Sequence, residues 1–173
     1  MRLFPEIIGA DFAALDPCLQ GIHGGESKTW QGTVTVERGV SLIARALGIL
    51  ASLPPAMRAA PIEIRIEATS RGERWSRLFA HRHRMASTLY RKDDLLVERL
   101  GPAALTFRLL VQRGALKWQL ARVSVARIPL PLAWFQIFAK LDARDGRYHF
   151  VVDSSLLKFG RIVRYEGLLD ASA

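Results

Sequence analysis

The chain contains a single cysteine, Cys18, so no internal disulfide framework is possible and a reducing compartment is the expected setting. Its first residues, Met-Arg-Leu-Phe-Pro-Glu, lack the apolar core and small-residue cleavage site of a signal peptide. The longest apolar stretch, Val40 to Leu53, is interrupted by Arg45 and is shorter than the ~20 residues that span a bilayer. A soluble, cytoplasmic protein without a transmembrane segment is therefore expected. Acidic residues are scarce: 16 Asp and Glu stand against 25 Lys and Arg, a formal net charge of +9. That excess favours anionic partners, whether nucleic acid, a phospholipid surface, an acidic ligand or an acidic protein. A glycine-rich phosphate loop is also missing. Gly24-Gly25 lacks both the Lys-Ser/Thr element and the strand-then-helix context, so no nucleotide cofactor is expected. No RNA-binding signature, helix-turn-helix, internal repeat or low-complexity tract is present, and nucleic acid is not an expected partner.

Half of the 173 residues are hydrophobic, enough for a proper core in one domain covering 1–173. Two short N-terminal helices are expected, over 5–15 and from Asp16-Pro17 to Gly24-Gly25, the second with Asp16 as N-cap and Pro17 at its first position. Thr29 to Arg38 alternates as a first strand. Ser41 to Leu53 reads as the main helix, stopped by Pro54-Pro55 and apolar nearly all round, which predicts burial in the concavity of a sheet. From Ile62 to Leu169 the period is two, punctuated by Arg71-Gly72, Asp93-Asp94, Gly101-Pro102, Arg113-Gly114 and Asp145-Gly146. The strands fall near 62–69, 73–80, 84–91, 95–100, 104–113, 116–127, 134–142, 147–153 and 161–169. The prolines of Pro129-Leu-Pro131 exclude a central strand, so Pro129 to Phe135 is an apolar loop or helical turn and a candidate lid or membrane-touching edge. The expected fold is α+β: a strongly curved antiparallel sheet, or partly closed barrel, wrapped around the helix at 41–53.

No catalytic motif is assembled. His81 and His83 share a strand face, but Arg82 and Arg84 beside them disfavour a cation, and no metal site is expected. Cys18 and His23 lie at i and i+5 on one short helix and point apart, which removes the simplest nucleophile–base pairing. The chemistry-bearing pattern is the alternation of Trp75, Arg77 and Phe79, repeated by Trp118, Leu120 and Arg122. Aromatic rings flanking a guanidinium would line a pocket for an amphiphilic anion. Trp75, Arg77, Arg99, Trp118, Arg122 and Tyr165 are the candidate lining residues. The plainer reading is that the rings are core and that Arg77 and Arg122 pair with Glu73, Glu98 or Glu166.

From end to end the residues resemble a bacterial family known as domain of unknown function 4166. The marks are Leu3-Phe4 with Gly9-Ala10-Asp11-Phe12 and His23, Gly32-Thr-Val-Thr-Val-Glu-Arg-Gly39, Leu53-Pro54-Pro55, and Gly72-Glu-Arg-Trp-Ser-Arg-Leu-Phe79. Leu96-Val-Glu-Arg-Leu-Gly-Pro102, Pro129-Leu-Pro131, Gly146-Arg-Tyr-His-Phe150 and Tyr165-Glu-Gly167 complete them. Members often follow a saccharopine-dehydrogenase-like reductase domain, so the resemblance implies an accessory ligand or substrate module and assigns no catalytic residue.

Three functions follow as expectations. The first is non-enzymatic binding of an amphiphilic or acidic, lipid-like small molecule. The second is an enzyme, or the substrate-holding part of a reductase system, with a polar cluster around His149, Asp153 and Glu98. The third is an interaction module that dimerises or docks a reductase partner through a sheet edge or the apolar loop.

Overall fold

The computed structural model describes residues 2–170. Eleven antiparallel strands form one sheet: β1 (Lys28–Arg38), β2 (Met57–Thr69), β3 (Gly72–Phe79), β4 (His83–Lys92), β5 (Leu95–Leu100), β6 (Ala103–Gln112), β7 (Ala115–Val125), β8 (Ile128–Leu130), β9 (Phe135–Arg144), β10 (Arg147–Leu156) and β11 (Gly160–Leu169). Their order is β6-β5-β4-β3-β2-β1-β11-β10-β9-β7-β8, and pairing of β6 with β7 closes ten of them into a barrel, with β8 a short flap on the edge of β7. The alternation dictates the two faces. Ile62, Ile64 and Ile66 are buried while Pro61 and Arg65 between and beside them are exposed, and Glu63 and Glu67 are half-buried. The barrel is complete rather than partly closed, because β1 pairs with β11 over Gly32–Arg38 and leaves no gap between the ends of the sheet. The segment around Pro129 forms both the β8 flap and a single 3-10 turn, Leu132–Trp134. Pro129 sits where a missing N–H is harmless, on an edge strand.

Three short α-helices accompany the barrel: α1 (Leu3–Ile8), α2 (Pro17–His23) and α3 (Leu42–Leu50), with a 3-10 turn over Gly9–Ala14. Asp16 caps α2, its side chain accepting from the Cys18 N–H at 3.1 Å. The expectation of a sheet wrapped around the 41–53 helix is overturned. The fold is mostly β, and the interior is filled instead from the N-terminus. Leu3, Phe4, Leu15, Leu19, Ile22 and His23 are buried and plug one end, where the Asp16 N–H also binds the Gly114 carbonyl of the β6–β7 turn.

α3 lies across the other end and packs on β11. The side it buries is its smallest, Ala44 and Gly48. A Cβ on Gly48 would collide with the Arg38 guanidinium, which donates to the Pro54 carbonyl. Close seating on that side turns the large apolar side chains outward: Leu42 is 81% exposed and Ile49 is 82% exposed. The expectation that a helix apolar nearly all round is buried fails: α3 seats its small side on the barrel, and the buried filling comes from the N-terminal segment at the opposite end.

Antiparallel order gives the barrel two distinct ends. The plugged end gathers the turns at 70–71, 93–94, 113–114 and 145–146. The open end gathers α3 and its flanks (39–56) with the turns at 80–82, 101–102, 126–134 and 157–159.

Candidate ligand-binding cavity

A cavity of about 150 Å³ runs from Ile22 of the plug towards the open end, where Leu47, Leu50 and Leu53 of the α3 segment and Phe135 and Phe138 of β9 form its rim. Its wall is overwhelmingly apolar and rich in rings. Trp75 and Trp118 stand edge to face with centroids 6.4 Å apart, Phe107 lies 5.6 Å from Trp118, and Phe150 lies 6.2 Å from Tyr165. Phe4 of the plug packs on Trp118 at 5.7 Å, so the N-terminal segment forms the floor beneath these rings.

Polar groups are few and mostly committed to one another. Arg77 is buried; its Nη1 donates to Ser87 Oγ at 3.0 Å, its Nη2 to Glu98 Oε1 at 3.2 Å, and its guanidinium carbon lies 5.1 Å from the Trp75 ring centroid. The pair is neutral overall and presents both a donor fork and an acceptor to the cavity it lines. Trp75 Nε1 donates to Glu73 Oε2 at 2.8 Å. Burial raises the Glu73 carboxyl pKa, with that hydrogen bond opposing it. His23 shares a hydrogen bond of 3.1 Å with the Tyr148 hydroxyl, and burial pushes its pKa down to about 3, so it is a neutral imidazole. Burial likewise pushes Tyr165 up to about 12, against the pull of Arg77. Three buried polar atoms of the interior, His23 Nδ1, Glu73 Oε1 and Trp118 Nε1, have no hydrogen-bond partner among the described residues; of these residues Trp118 lines the cavity.

Of the six residues singled out from sequence, Trp75, Arg77, Trp118 and Tyr165 come together in the cavity wall. Arg99 and Arg122 do not: both lie exposed on the outer face. Arg99 follows inward-facing Glu98 and so points out by simple alternation. Arg122 is reversed by a β-bulge. Thr106 pairs with Arg122 while Phe107 pairs with Leu120, which leaves Ala121 as an extra residue and flips the phase, so that Val123 and Val125 face inward. Sequence reasoning missed Phe107, Tyr148 and Phe150. The signal for the last two is the alternation of β10, in which they flank outward-facing His149.

The His149, Asp153 and Glu98 grouping is split by the barrel wall, with Glu98 inside and the other two outside. His149 is only 2% exposed, wedged between Asp142 and Glu166: Nδ1 is 2.5 Å from Asp142 Oδ1 and Nε2 is 3.0 Å from Glu166 Oε1. Partial burial works against ionisation of Asp142, but hydrogen bonds from Lys140 and His149 outweigh it and hold its pKa below the usual value. Arg164, Arg144 and Asp153–Arg161 extend this ion-pair network across the outer faces of β9 to β11. Cys18 is half-buried beside Asp16, and burial first, then that carboxylate, push its thiol up to about 12, which leaves no thiolate for nucleophilic chemistry. His83 Nε2 lies 2.9 Å from the Ser52 carbonyl oxygen at the open end.

Fold and site together define a small antiparallel β-barrel, plugged at one end and hollow towards the other, with a ring-lined apolar interior. Within that class the chain belongs to the DUF4166 family, domain of unknown function, whose family model matches residues 15–169. No curated protein matches it. Among the described residues no helix is long and apolar enough to cross a membrane.

Proposed function

We propose that this protein is a binding module that holds the apolar end of an amphiphilic, lipid-like small molecule inside the barrel, with the polar end at the open mouth. The observation that carries this reading is the apolar cavity itself, open at the end where the basic, α3-bearing rim stands. Its size sets the mode of binding. A void of about 150 Å³ accommodates a group of benzene size, whereas sites that enclose a whole small molecule run to roughly 300–1,000 Å³. The ligand therefore inserts one end and leaves the rest in the mouth.

Arg77 serves here as a polar contact rather than a free anion anchor. A ligand carboxylate that took over its donors would strip Glu98 of its partner in a buried site, at a cost of several kcal/mol. A hydroxyl, ester or carbonyl group can bond to the Arg77–Glu98 pair without breaking it, and the Trp118 N–H offers a further donor. Anionic character, if the ligand has it, belongs at the basic rim. Binding is favoured over catalysis because Cys18, His23 and Tyr165 are all pushed away from the range in which proton transfer at neutral pH is efficient.

The test is displacement of a fluorescent fatty-acyl probe, alongside native mass spectrometry for a co-purified molecule. Ala139 lines the cavity opposite Trp118 in the β7–β9 register, so Ala139→Phe fills it from the wall. Probe affinity should fall at least about tenfold, near 1.4 kcal/mol, with the circular dichroism spectrum retained. Unchanged affinity in the filled variant would refute interior binding.

A further inference from the structure

The open end carries an unusual combination of residues. Leu42 and Ile49 of α3, Leu132 and Trp134 of the 3-10 turn, and Leu157 and Phe159 of the β10–β11 turn are all exposed. All three segments lie at the open end: the Leu157 N–H binds the Trp134 carbonyl at 3.0 Å, and the Gly39 N–H, just before α3, binds the Ile162 carbonyl of β11. Large apolar residues left exposed in several segments at one end of a barrel are a mark of an interaction surface. Its charge is one-sided. The open-end segments 39–56, 80–82, 101–102, 126–134 and 157–159 contain Arg45, Arg82, Arg127 and Lys158 and no Asp or Glu. The plugged end has the opposite bias, with Glu6, Asp11, Asp16 and Glu26 in the plug and Asp93, Asp94 and Asp145 in the turns, against Arg2, Arg71 and Arg113.

We propose that the open end docks on an anionic phospholipid bilayer, with Leu42, Ile49 and Trp134 entering the interfacial layer and Arg45, Arg82, Arg127 and Lys158 lying against the headgroups. Charge complementarity selects this occupant. A flat, laterally adaptable anionic surface meets every cation of the open end at once, while the carboxylate-bearing end is kept away from it. α3 has the outward apolar residues of an interfacial helix, and an exposed Trp is the ring suited to the headgroup level. Because the cavity opens at the same end, docking places its mouth against the source of an amphiphile. That last consequence rests on the cavity reading; the docking itself does not.

The experiment is flotation of the full chain with phosphatidylcholine vesicles, with and without phosphatidylglycerol, at low and high salt. Binding should require phosphatidylglycerol, weaken with salt, and shift tryptophan emission to the blue, with the shift lost in Trp134→Ser. Leu42→Ser combined with Ile49→Ser should lower partitioning at least about tenfold. Arg45→Glu with Arg127→Glu should lower it far more than Arg71→Glu with Arg113→Glu, a matched charge change at the plugged end, since each cation near an anionic leaflet adds about fivefold. Equal losses from the two pairs, or no binding to anionic vesicles, would overturn the proposal. So would a dimer or a protein complex that is abolished by Leu42→Ser/Ile49→Ser while vesicles are ignored. Ala139→Phe separates the two readings: vesicle binding that survives with probe binding lost supports docking on its own, unchanged probe affinity overturns the cavity reading alone, and vesicle binding lost while the fold is retained overturns docking through the rim.

Discussion

The two ends of the barrel solve the same problem, how to close a hollow cylinder, in opposite ways. At the plugged end the chain spends its large apolar residues on the inside: Leu3 and Phe4 are fully buried, and Phe4 packs within 4.1 Å of the His23 ring centroid. At the open end α3 spends its smallest residues on the inside, sets Leu47 and Leu50 at the cavity rim and leaves Leu42 and Ile49 in solvent. The turns differ too. Two plugged-end hairpins, Arg113-Gly114 and Asp145-Gly146, put Gly at the second left-handed position, with φ of 77° and 71° at the glycines. Two open-end turns put Ala80-His81 and Ala126-Arg127 at such positions, with positive φ at all four residues, while Gly101 and Gly160 take the left-handed positions of the other two. One end is built for stability. The other carries exposed apolar surface and strained turns that stability alone would not select, the pattern expected of a working surface.

If that contrast holds, the largest destabilisation should come from the plug. Phe4→Ala removes a ring that touches His23, Trp75 and Trp118, and should cost about 3–5 kcal/mol in urea unfolding. A loss under about 1 kcal/mol would mean that the N-terminal segment sits on the barrel without closing it.

Between the ends, the Arg77–Glu98 pair should behave as a coupled unit. Glu98→Leu alone strands a buried guanidinium and should cost about 3–5 kcal/mol, while Arg77→Met with Glu98→Leu should fall close to wild type. Additive single losses would show that the two groups are solvated independently, and that the cavity is wetter than its lining suggests.

How much of this was legible beforehand depends on the range of the interaction. Strand faces and hairpin positions are written locally, in Ile62-Glu63-Ile64 or Asp145-Gly146, and they were readable. Barrel closure depends on β1 meeting β11, more than a hundred residues away, and periodicity carries no information about that partner. Residues 3–22 and 41–53 are both apolar, and nothing local says which segment wins the single interior. Alternation alone puts Trp75, Arg77 and Trp118 on the inner face, but it misplaces Arg122, reversed by the extra residue Ala121, because a bulge has no necessary signature in the strand that bears it.

The plugged end should also set the acid response. His23 has its folded pKa lowered from 6.5 to about 3, so the unfolded chain binds the extra proton. Its contribution is full above pH 6.5 and is lost as pH falls towards 3, a few kcal/mol in all at roughly 1.4 kcal/mol per unit. His23→Gln should flatten the urea midpoint across that window. Glu73 has the opposite sign: its folded pKa is raised, so it favours the fold at low pH and weakens it as pH rises through its unfolded value. Glu73→Gln should therefore raise the urea midpoint at neutral pH and flatten its fall with rising pH, the Trp75 N–H retaining an acceptor.

The smallest expected effect bears most directly on the comparison. Leu42→Ser with Ile49→Ser changes two large apolar residues in one helix, a substitution that in a barrel core would remove several kcal/mol. Here both side chains already lie in solvent, so neither a cavity nor a lost transfer energy follows, and the urea midpoint should stay within about 0.5 kcal/mol of wild type. The small helix-propensity loss on replacing Leu and Ile by Ser acts in the same narrow range. A loss above about 1 kcal/mol would mean that α3 folds its apolar side chains back over the mouth in solution, making it a closed lid and the two ends alike. A neutral result, set beside a large loss from Phe4→Ala, leaves the exposed apolar residues of the open end without a structural reason and assigns them to contact with something outside the chain.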